Sequence, residues 1–222
     1  MAVQKEYYQQ LISELSKQKV ALVAVSKTKP AEEILELYNL GQRDFGENYV
    51  QELVDKAAQL PKDIRWHFIG HLQTNKVKFI ASFVQLIHGV DSLKLLKEIN
   101  KEAAKNNRVI DCLLQIHIAQ EETKFGLDEE ELNLIISQSA NLLMSNVRVI
   151  GLMGMASFTD DMNKVRAEFG KLKELFDHHA TLQTSKSKLQ TLSMGMSSDY
   201  KVAIQEGSNI VRIGSLLFGK RG

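Results

Sequence analysis

Eight short apolar runs, separated by longer amphipathic segments, follow one another along this sequence of 222 residues. A short run rich in β-branched residues between polar turns predicts a strand, and apolar residues spaced three and four apart predict a helix. The predicted strands are 20–26, 43–46, 65–70, 83–89, 109–118, 146–155, 188–195 and 209–214. The predicted helices are 3–16, 31–40, 47–59, 73–81, 92–106, 128–140, 161–180 and 198–206.

Strands that alternate with helices predict the α/β class and a parallel sheet. Eight such units in a chain of about 200 to 250 residues favour one closed (β/α)8 barrel of the TIM type. An open doubly wound sheet would usually carry a glycine-rich turn after its first strand, whereas this turn reads "SKTKP" and has no glycine. We therefore predict a single barrel domain over residues 1–222, with an additional N-terminal helix.

The composition limits the classes of partner that this protein is expected to bind. Lysine plus arginine number 28 and aspartate plus glutamate 27, so the net charge of +1 indicates neither nucleic acid nor an anionic membrane as partner. Cys112 is the only cysteine, and no apolar run approaches the roughly 18 residues that a membrane helix needs. We expect a cytoplasmic protein with a small-molecule ligand, as a monomer or weak dimer, and an inert, buried thiol.

Barrel proteins carry their sites at the carboxyl ends of the strands, often with a phosphate site after strands 7 and 8. Here these two strands end in "SMGMSSD" and "RIGS". Gly195 and Gly214 allow close backbone approach, and Ser197 and Ser215 offer hydroxyl groups to an anion. Ordinary turn and cap residues are the alternative explanation. The pairing of both segments in one barrel favours a phosphate cradle.

The first strand ends in a lysine, in the stretch "ALVAVSKTKP". Alternation along a strand puts Val23, Val25 and Lys27 on one face, and if that face lines the barrel, Lys27 lies at the same mouth as the cradle. The alternative is that Lys27 or Lys29 simply reaches water. A partly desolvated amine beside a phosphate site is the arrangement that binds pyridoxal phosphate through a Schiff base.

Six motifs, in the order "VAVSKTKP", "FGENYVQE", "WHFIGHLQ.NK", "GLMGM", "LSMGMS.D" and "VRIG...FG", resemble the pyridoxal phosphate homeostasis proteins. These proteins are relatives of the barrel domain of alanine racemase, and the likeness runs from about Val20 to Gly219. It implies pyridoxal phosphate carried on Lys27, without established turnover. It also implies a role in balancing vitamin B6 and amino or keto acid pools.

The resemblance also assigns site residues. The implied phosphate-binding residues are Ser193, Gly195, Met196, Ser197, Gly214 and Ser215. Arg212 resembles the racemase arginine that faces the pyridine nitrogen. A guanidinium there would disfavour protonation of that nitrogen and so weaken the ring as an electron sink. A salt bridge or a direct phosphate contact is the alternative for Arg212.

Five further side chains stand in these motifs. Asn48 is expected to hydrogen-bond the ring hydroxyl or the imine region, while Glu47 is expected to cap the helix that follows. His67 either faces the cofactor or is a satisfied core histidine. Met153 and Met155 either pack against the ring or fill the core. The "HFIGH" pair lacks the glutamate of the helical zinc motif, so we expect no metal.

Three functions are compatible with this sequence. One is a carrier that buffers pyridoxal phosphate and releases it to apo-enzymes. The second is an amino-acid racemase, which needs a base on both faces of the substrate carbon. In the racemases that base comes from a separate C-terminal domain, whereas this chain ends eight residues after Gly214, so we expect the carrier. A lysine-dependent aldolase is the third, and a cofactor-sized phosphate cradle disfavours it.

Overall fold

The structure is a computed structural model that describes residues 3–119, 125–141, 144–181 and 189–219. Eight parallel strands close into a barrel in sequence order, with β1 hydrogen-bonded to β8. The strands are β1 Ala21–Val25, β2 Asp44–Glu47, β3 Arg65–Phe68, β4 Leu86–Val90, β5 Ile110–Ile116, β6 Val147–Gly154, β7 Thr191–Ser193 and β8 Ile210–Ile213. The predicted (β/α)8 barrel is confirmed.

Helices connect the strands and surround the barrel. They are α1 Lys5–Lys17, α2 Ala31–Asn39, α3 Val50–Gln59, α4 Leu93–Lys105, α5 Glu129–Asn141, α6 Met162–Thr181, α7 Tyr200–Gln205 and α8 Ser215–Phe218. A 3₁₀ helix, Thr74–Phe79, follows β3. The extra N-terminal helix α1 packs beside α8, where the amide of Gln4 donates to the carbonyl of Leu217.

The structure corrects several predicted boundaries. The helix expected from residue 47 begins at Val50, because β2 continues to Glu47, which pairs in register with Phe68 of β3. The segment 73–81 forms a 3₁₀ helix rather than an α-helix. Helix α8 was not predicted: its four residues are too few for a helical period to be visible in the sequence.

Alternate residues of each strand face either the helices or the barrel interior. In β1, Leu22 and Ala24 join the main apolar core between strands and helices. Val23 faces inward, since a Cβ added to Gly46 on β2 would lie 2.8 Å from its Cγ1 atom. Phe45 and Phe68 are fully buried in the helix-facing layer, each contributing about 1.5–3 kcal/mol relative to exposure.

The described residues contain neither a membrane-spanning helix nor a metal-binding cluster. None of the helices in that part of the chain is both long enough and apolar enough to cross a bilayer. Within the same ranges, no three or more histidine, cysteine, aspartate or glutamate side chains gather in a way that could hold a metal ion. Cys112 is buried, and burial raises the pKa of its thiol.

Candidate functional site

A cavity of about 500 Å³ opens at the carboxyl ends of β1, β2, β3, β6, β7 and β8. This volume lies within the range typical of small-molecule sites. Seven of the eleven residues predicted from the sequence line it, namely Lys27, Asn48, Met196, Ser197, Arg212, Gly214 and Ser215. The other four, His67, Met153, Ser193 and Gly195, lie outside the lining. The barrel therefore brings the lysine and the two predicted phosphate segments to one cavity.

Lys27 lies on the turn that follows β1. Val25, two residues earlier on the strand, also lines the cavity, as the alternation along β1 predicts. Thr28 has a φ of 64°, a left-handed conformation that turns the chain sharply. Lys29 also reaches the cavity, but its Nζ donates to the carbonyl of Phe218 at 2.8 Å and lies 3.6 Å from Glu33 Oε2.

The turn that carries Lys27 is held by a buried ionic cluster, the outer network, formed by Ser26, Glu47, Glu52 and Lys56. The Nζ atom of Lys56 donates to the carbonyl of Ser26 at 2.8 Å and to Glu47 Oε1 at 2.8 Å. It also donates to Glu52 Oε1 at 2.6 Å. Glu52 in turn accepts from the amide of Thr28 at 2.6 Å. The backbone on both sides of Lys27 is therefore fixed.

Glu47 does not cap a helix, contrary to the prediction. It is fully buried, and its Oε1 accepts from the hydroxyl of Ser26 at 2.6 Å. Burial raises the pKa of Glu47, and the nearby Lys56 partly opposes that shift. Sequence reasoning missed this network, although Glu52 and Lys56 stand four residues apart on α3 and Glu47 has the outward phase of Phe45.

The segments after β7 and β8 meet at the cavity. The amide of Gly214 donates to the hydroxyl of Ser197 at 3.3 Å. The amide of Met196 donates to Asp199 Oδ1 at 2.6 Å, so the carboxylate occupies one donor of the predicted cradle. Gly195 has a φ of +94°, and a Cβ there would lie 2.6 Å from that of Ala203. The turn conformation and the packing of α7 therefore require this glycine.

Arg212 projects from β8 into the barrel and reaches the cavity, although only 4% of its surface is exposed. Its Nη1 donates to the carbonyl and hydroxyl oxygens of Ser193 at 2.9 and 2.7 Å, and its Nη2 donates to the carbonyl of Gly154 at 3.2 Å. Burial lowers the pKa of Arg212 to about 10, against an opposing contribution from Asp199. The guanidinium is therefore a fixed donor group at the floor of the cavity.

Two predicted side chains lie deeper in the barrel. His67 is 5% exposed and is hydrogen-bonded on both ring nitrogens, to His88 and to Asp44, so it is the satisfied core histidine of the two alternatives. Met153 packs with Leu86 and Leu113 in an apolar interior cluster. Met155, two residues beyond Met153 on the same chain segment, does line the cavity.

Asn48 follows β2 and lines the cavity. Its Oδ1 atom is buried and has no hydrogen-bond partner in the structure. A buried polar atom without a partner costs about 1–3 kcal/mol, and a ligand in the cavity would supply the missing donor. This unpartnered acceptor, together with the serines that follow β7 and β8, fits a polar ligand.

Comparison with known proteins identifies the family. The model of the family described as "Alanine racemase, N-terminal domain" matches residues 5–222. A pyridoxal phosphate homeostasis protein of Aquifex aeolicus is 47% identical over 202 residues, covering 90% of this chain and 86% of that relative. The chain belongs to the pyridoxal phosphate homeostasis protein family. A human relative, 39% identical over 210 residues and covering 90% of this chain and 76% of that relative, bears the same name.

Solved structures agree with this membership. The homeostasis-family chain superposes on PipY of Synechococcus elongatus PCC7942, solved without pyridoxal phosphate, with a TM-score of 0.89 and 36% identity, covering 96% of this chain and 99% of PipY. A second PipY structure has pyridoxal phosphate bound. Alanine racemase of Bartonella henselae shares only the fold, with 16% identity and a TM-score of 0.69 over 97% of this chain and 59% of the racemase.

Proposed function

We propose that this protein binds pyridoxal 5'-phosphate in the cavity through Lys27, and that it buffers the cofactor in the cytoplasm and releases it to apo-enzymes. The observation that carries the proposal is the meeting of Lys27, the serines after β7 and β8, and the unpartnered oxygen of Asn48 at one cavity. The bound cofactor of PipY, at 35% identity over 96% of this chain, supports it independently.

The residues that line the cavity fit the three parts of the cofactor. Ser197, Ser198 and Ser215 supply hydroxyl groups and neighbouring amides for the phosphate. Asn48 supplies a side-chain amide for the oxygen-bearing edge of the ring, and Arg212 supplies a guanidinium donor. When bound, the cofactor supplies an electron-withdrawing ring and a reactive aldehyde.

Lys27 would be the covalent anchor. Its primary amine would hold the cofactor by condensing with the aldehyde carbon to a carbon–nitrogen double bond, with the aldehyde oxygen lost as water. No oxidant or reductant is required. The Nζ atom of Lys29 donates to the carbonyl of Phe218, which holds that amine at the α8 side of the cavity.

The residues that line the cavity also favour binding of the cofactor over catalysis. Among the described residues that line the cavity, the titratable side chains are Lys27, Lys29 and Arg212, and none is a histidine, aspartate, glutamate, tyrosine or cysteine. Racemisation needs a second base across the substrate from the anchoring lysine. Lys29 is tied to Phe218, and Arg212 is not a base at physiological pH. Turnover should therefore fall well below the roughly 1 to 10³ per second of typical enzymes.

The anchor is tested by borohydride reduction of the protein loaded with pyridoxal phosphate, followed by peptide mapping. We expect visible absorbance before reduction and a reduced adduct on Lys27. Lys27→Ala should lose both, whereas Lys76→Ala, which removes an exposed lysine outside the cavity, should keep both. An adduct on Lys29 would contradict the assignment.

The carrier role is tested by mixing the loaded protein with an apo-transaminase and following the recovery of transaminase activity. We expect recovery, and in a chiral assay no inversion of alanine or serine at enzymatic rates. Rapid inversion that disappears in Lys27→Ala would overturn the carrier in favour of the racemase.

A further inference from the structure

Below the cavity, hydrogen bonds run down the barrel interior through five side chains, the inner chain. Arg212 Nη1 donates to the hydroxyl of Ser193 at 2.7 Å. Ser193 Oγ lies 3.0 Å from His88 Nδ1. His88 Nε2 lies 2.9 Å from His67 Nδ1. His67 Nε2 lies 3.0 Å from Asp44 Oδ1. Asp44 is the first residue of β2, so the inner chain of hydrogen bonds runs from the cavity to the opposite end of the barrel.

With both imidazoles neutral, the two ends set the direction of every hydrogen bond. A guanidinium can only donate and an ionised carboxylate can only accept. With neutral imidazoles, the hydroxyl of Ser193 donates to His88, which then carries its proton on Nε2 and donates to His67. His67 likewise carries its proton on Nε2 and donates to Asp44. The hydrogen-bond network therefore assigns the Nε2–H tautomer to both histidines.

The surroundings of His88 favour its neutral form. His88 is fully buried, and burial, with smaller contributions from His67 and Arg212, lowers its pKa well below the ordinary range. The far end is anchored by charge: burial alone would raise the pKa of Asp44, but hydrogen bonds from Arg65 and His67 hold it at about 2. Asp44 therefore remains an acceptor at neutral pH.

We propose that His88 and His67 are positioning residues for Arg212, because they orient the hydroxyl of Ser193 that accepts from its guanidinium. This inference rests on the proposed function only where it concerns the cofactor. Ser193, predicted to bind phosphate, acts here as the link between the histidines and Arg212. The hydroxyl hydrogen of Ser193 then points toward His88, and the lone pairs of the same oxygen accept from the guanidinium of Arg212.

The first test needs no cofactor. Long-range ¹H–¹⁵N spectra of the apo protein should show His67 and His88 both protonated on Nε2, with a sharp side-chain Nε–H signal from Arg212. His88→Leu removes the acceptor for Ser193 and should broaden the Arg212 signal. His88→Asn places an amide oxygen near the original Nδ1 position and should largely restore it. Nδ1 protonation of His88, or an unchanged Arg212 signal in folded His88→Leu, would overturn the proposal.

The second test uses pyridoxal 5'-phosphate as the probe. His88→Leu should weaken its binding about tenfold and shift the visible absorbance band, since Arg212 loses its fixed position at the cavity floor. Leu113→Val, which loosens the apolar interior cluster without touching the inner chain, should do neither. Unchanged affinity and absorbance in His88→Leu would contradict the positioning role. If the wild-type protein failed to bind the probe, the proposed function would fail, while the apo spectra would still decide the tautomers.

Discussion

Two buried polar networks approach the cavity from opposite sides of the barrel wall. The outer network lies between β2 and α3 and fixes the backbone around Lys27 through the ammonium of Lys56. The inner chain lies inside the barrel and holds Arg212 through Ser193. One network therefore positions the proposed anchor and the other positions a donor at the cavity floor.

The difference between them is where the charges sit. In the outer network a buried carboxylate and a buried ammonium are in direct contact, with 0% and 9% of the Glu47 and Lys56 side chains exposed. In the inner chain, neutral hydroxyl and imidazole groups separate Arg212 from Asp44. Removing one partner of a buried ion pair leaves an uncompensated charge, whereas breaking a neutral chain leaves only unsatisfied hydrogen bonds. The outer network should therefore matter more for stability.

Lys56→Met should have the largest effect. It leaves Glu47 buried without its cation, so we expect a loss of about 3–5 kcal/mol in the free energy of unfolding, measured in urea at pH 7. Lys101→Met removes an exposed ion pair on α4 and should change that free energy little. A Lys56→Met protein as stable as Lys101→Met would show that the outer network is not an energetic unit.

The same variant has a predicted pH dependence. Removing the ammonium that opposes the shift raises the pKa of Glu47 further above its ordinary 4.5. A carboxyl with a folded pKa above its unfolded value stabilises at acidic pH and loses that contribution as the pH rises through the folded pKa. The deficit of Lys56→Met should therefore grow between about pH 4.5 and neutrality, and Glu47→Gln in the same background should remove this slope.

Ser26→Ala should have an intermediate effect. It removes the hydroxyl that donates to Glu47 Oε1 at 2.6 Å but keeps Lys56 in place. A hydrogen bond to a charged group is worth about 1.5–3 kcal/mol, and we expect a loss of that size in urea unfolding. Ser16→Ala, whose exposed hydroxyl contacts only a helix carbonyl, is the matched control. Equal stability of the two alanine variants would argue against the role of Ser26.

Asp44→Asn should have the smallest effect, a loss of stability above about pH 4 that disappears in acid. The pKa of Asp44 is about 2 in the fold against an ordinary 3.8, so its contribution is present above about pH 4 and is lost as the pH falls toward 2. Allowing for partial exposure, we expect an acid-induced loss of about 1–2 kcal/mol in the wild type that Asp44→Asn does not show. Asp111→Asn removes another carboxylate–arginine pair at this end of the barrel and should retain the acid loss.

The fold was largely predictable, because each strand and each amphipathic helix has a local sequence pattern and the two kinds of element alternate along the chain. The closed barrel, the helix α1 and the burial of Cys112 all agree with those patterns. The misplaced start of α3 has a tertiary cause, since pairing with β3 extends β2 to Glu47. Seven of the eleven predicted site residues reach one cavity because strand ends of a parallel barrel share one face.

The two polar networks could not be read from the sequence. Period two gives the side of the sheet on which a residue lies, and it correctly placed Val25 and Lys27 together. It does not give the depth of a side chain in the barrel, nor its partner on a distant strand. Ser193 and His88 are 105 residues apart, and only closure of the barrel brings their side chains to 3.0 Å. The sequence by itself determined the barrel and the lysine at its mouth, because both depend on local order. Tertiary structure decided which polar groups support that lysine and Arg212, because long-range contacts exist only once the sheet has closed.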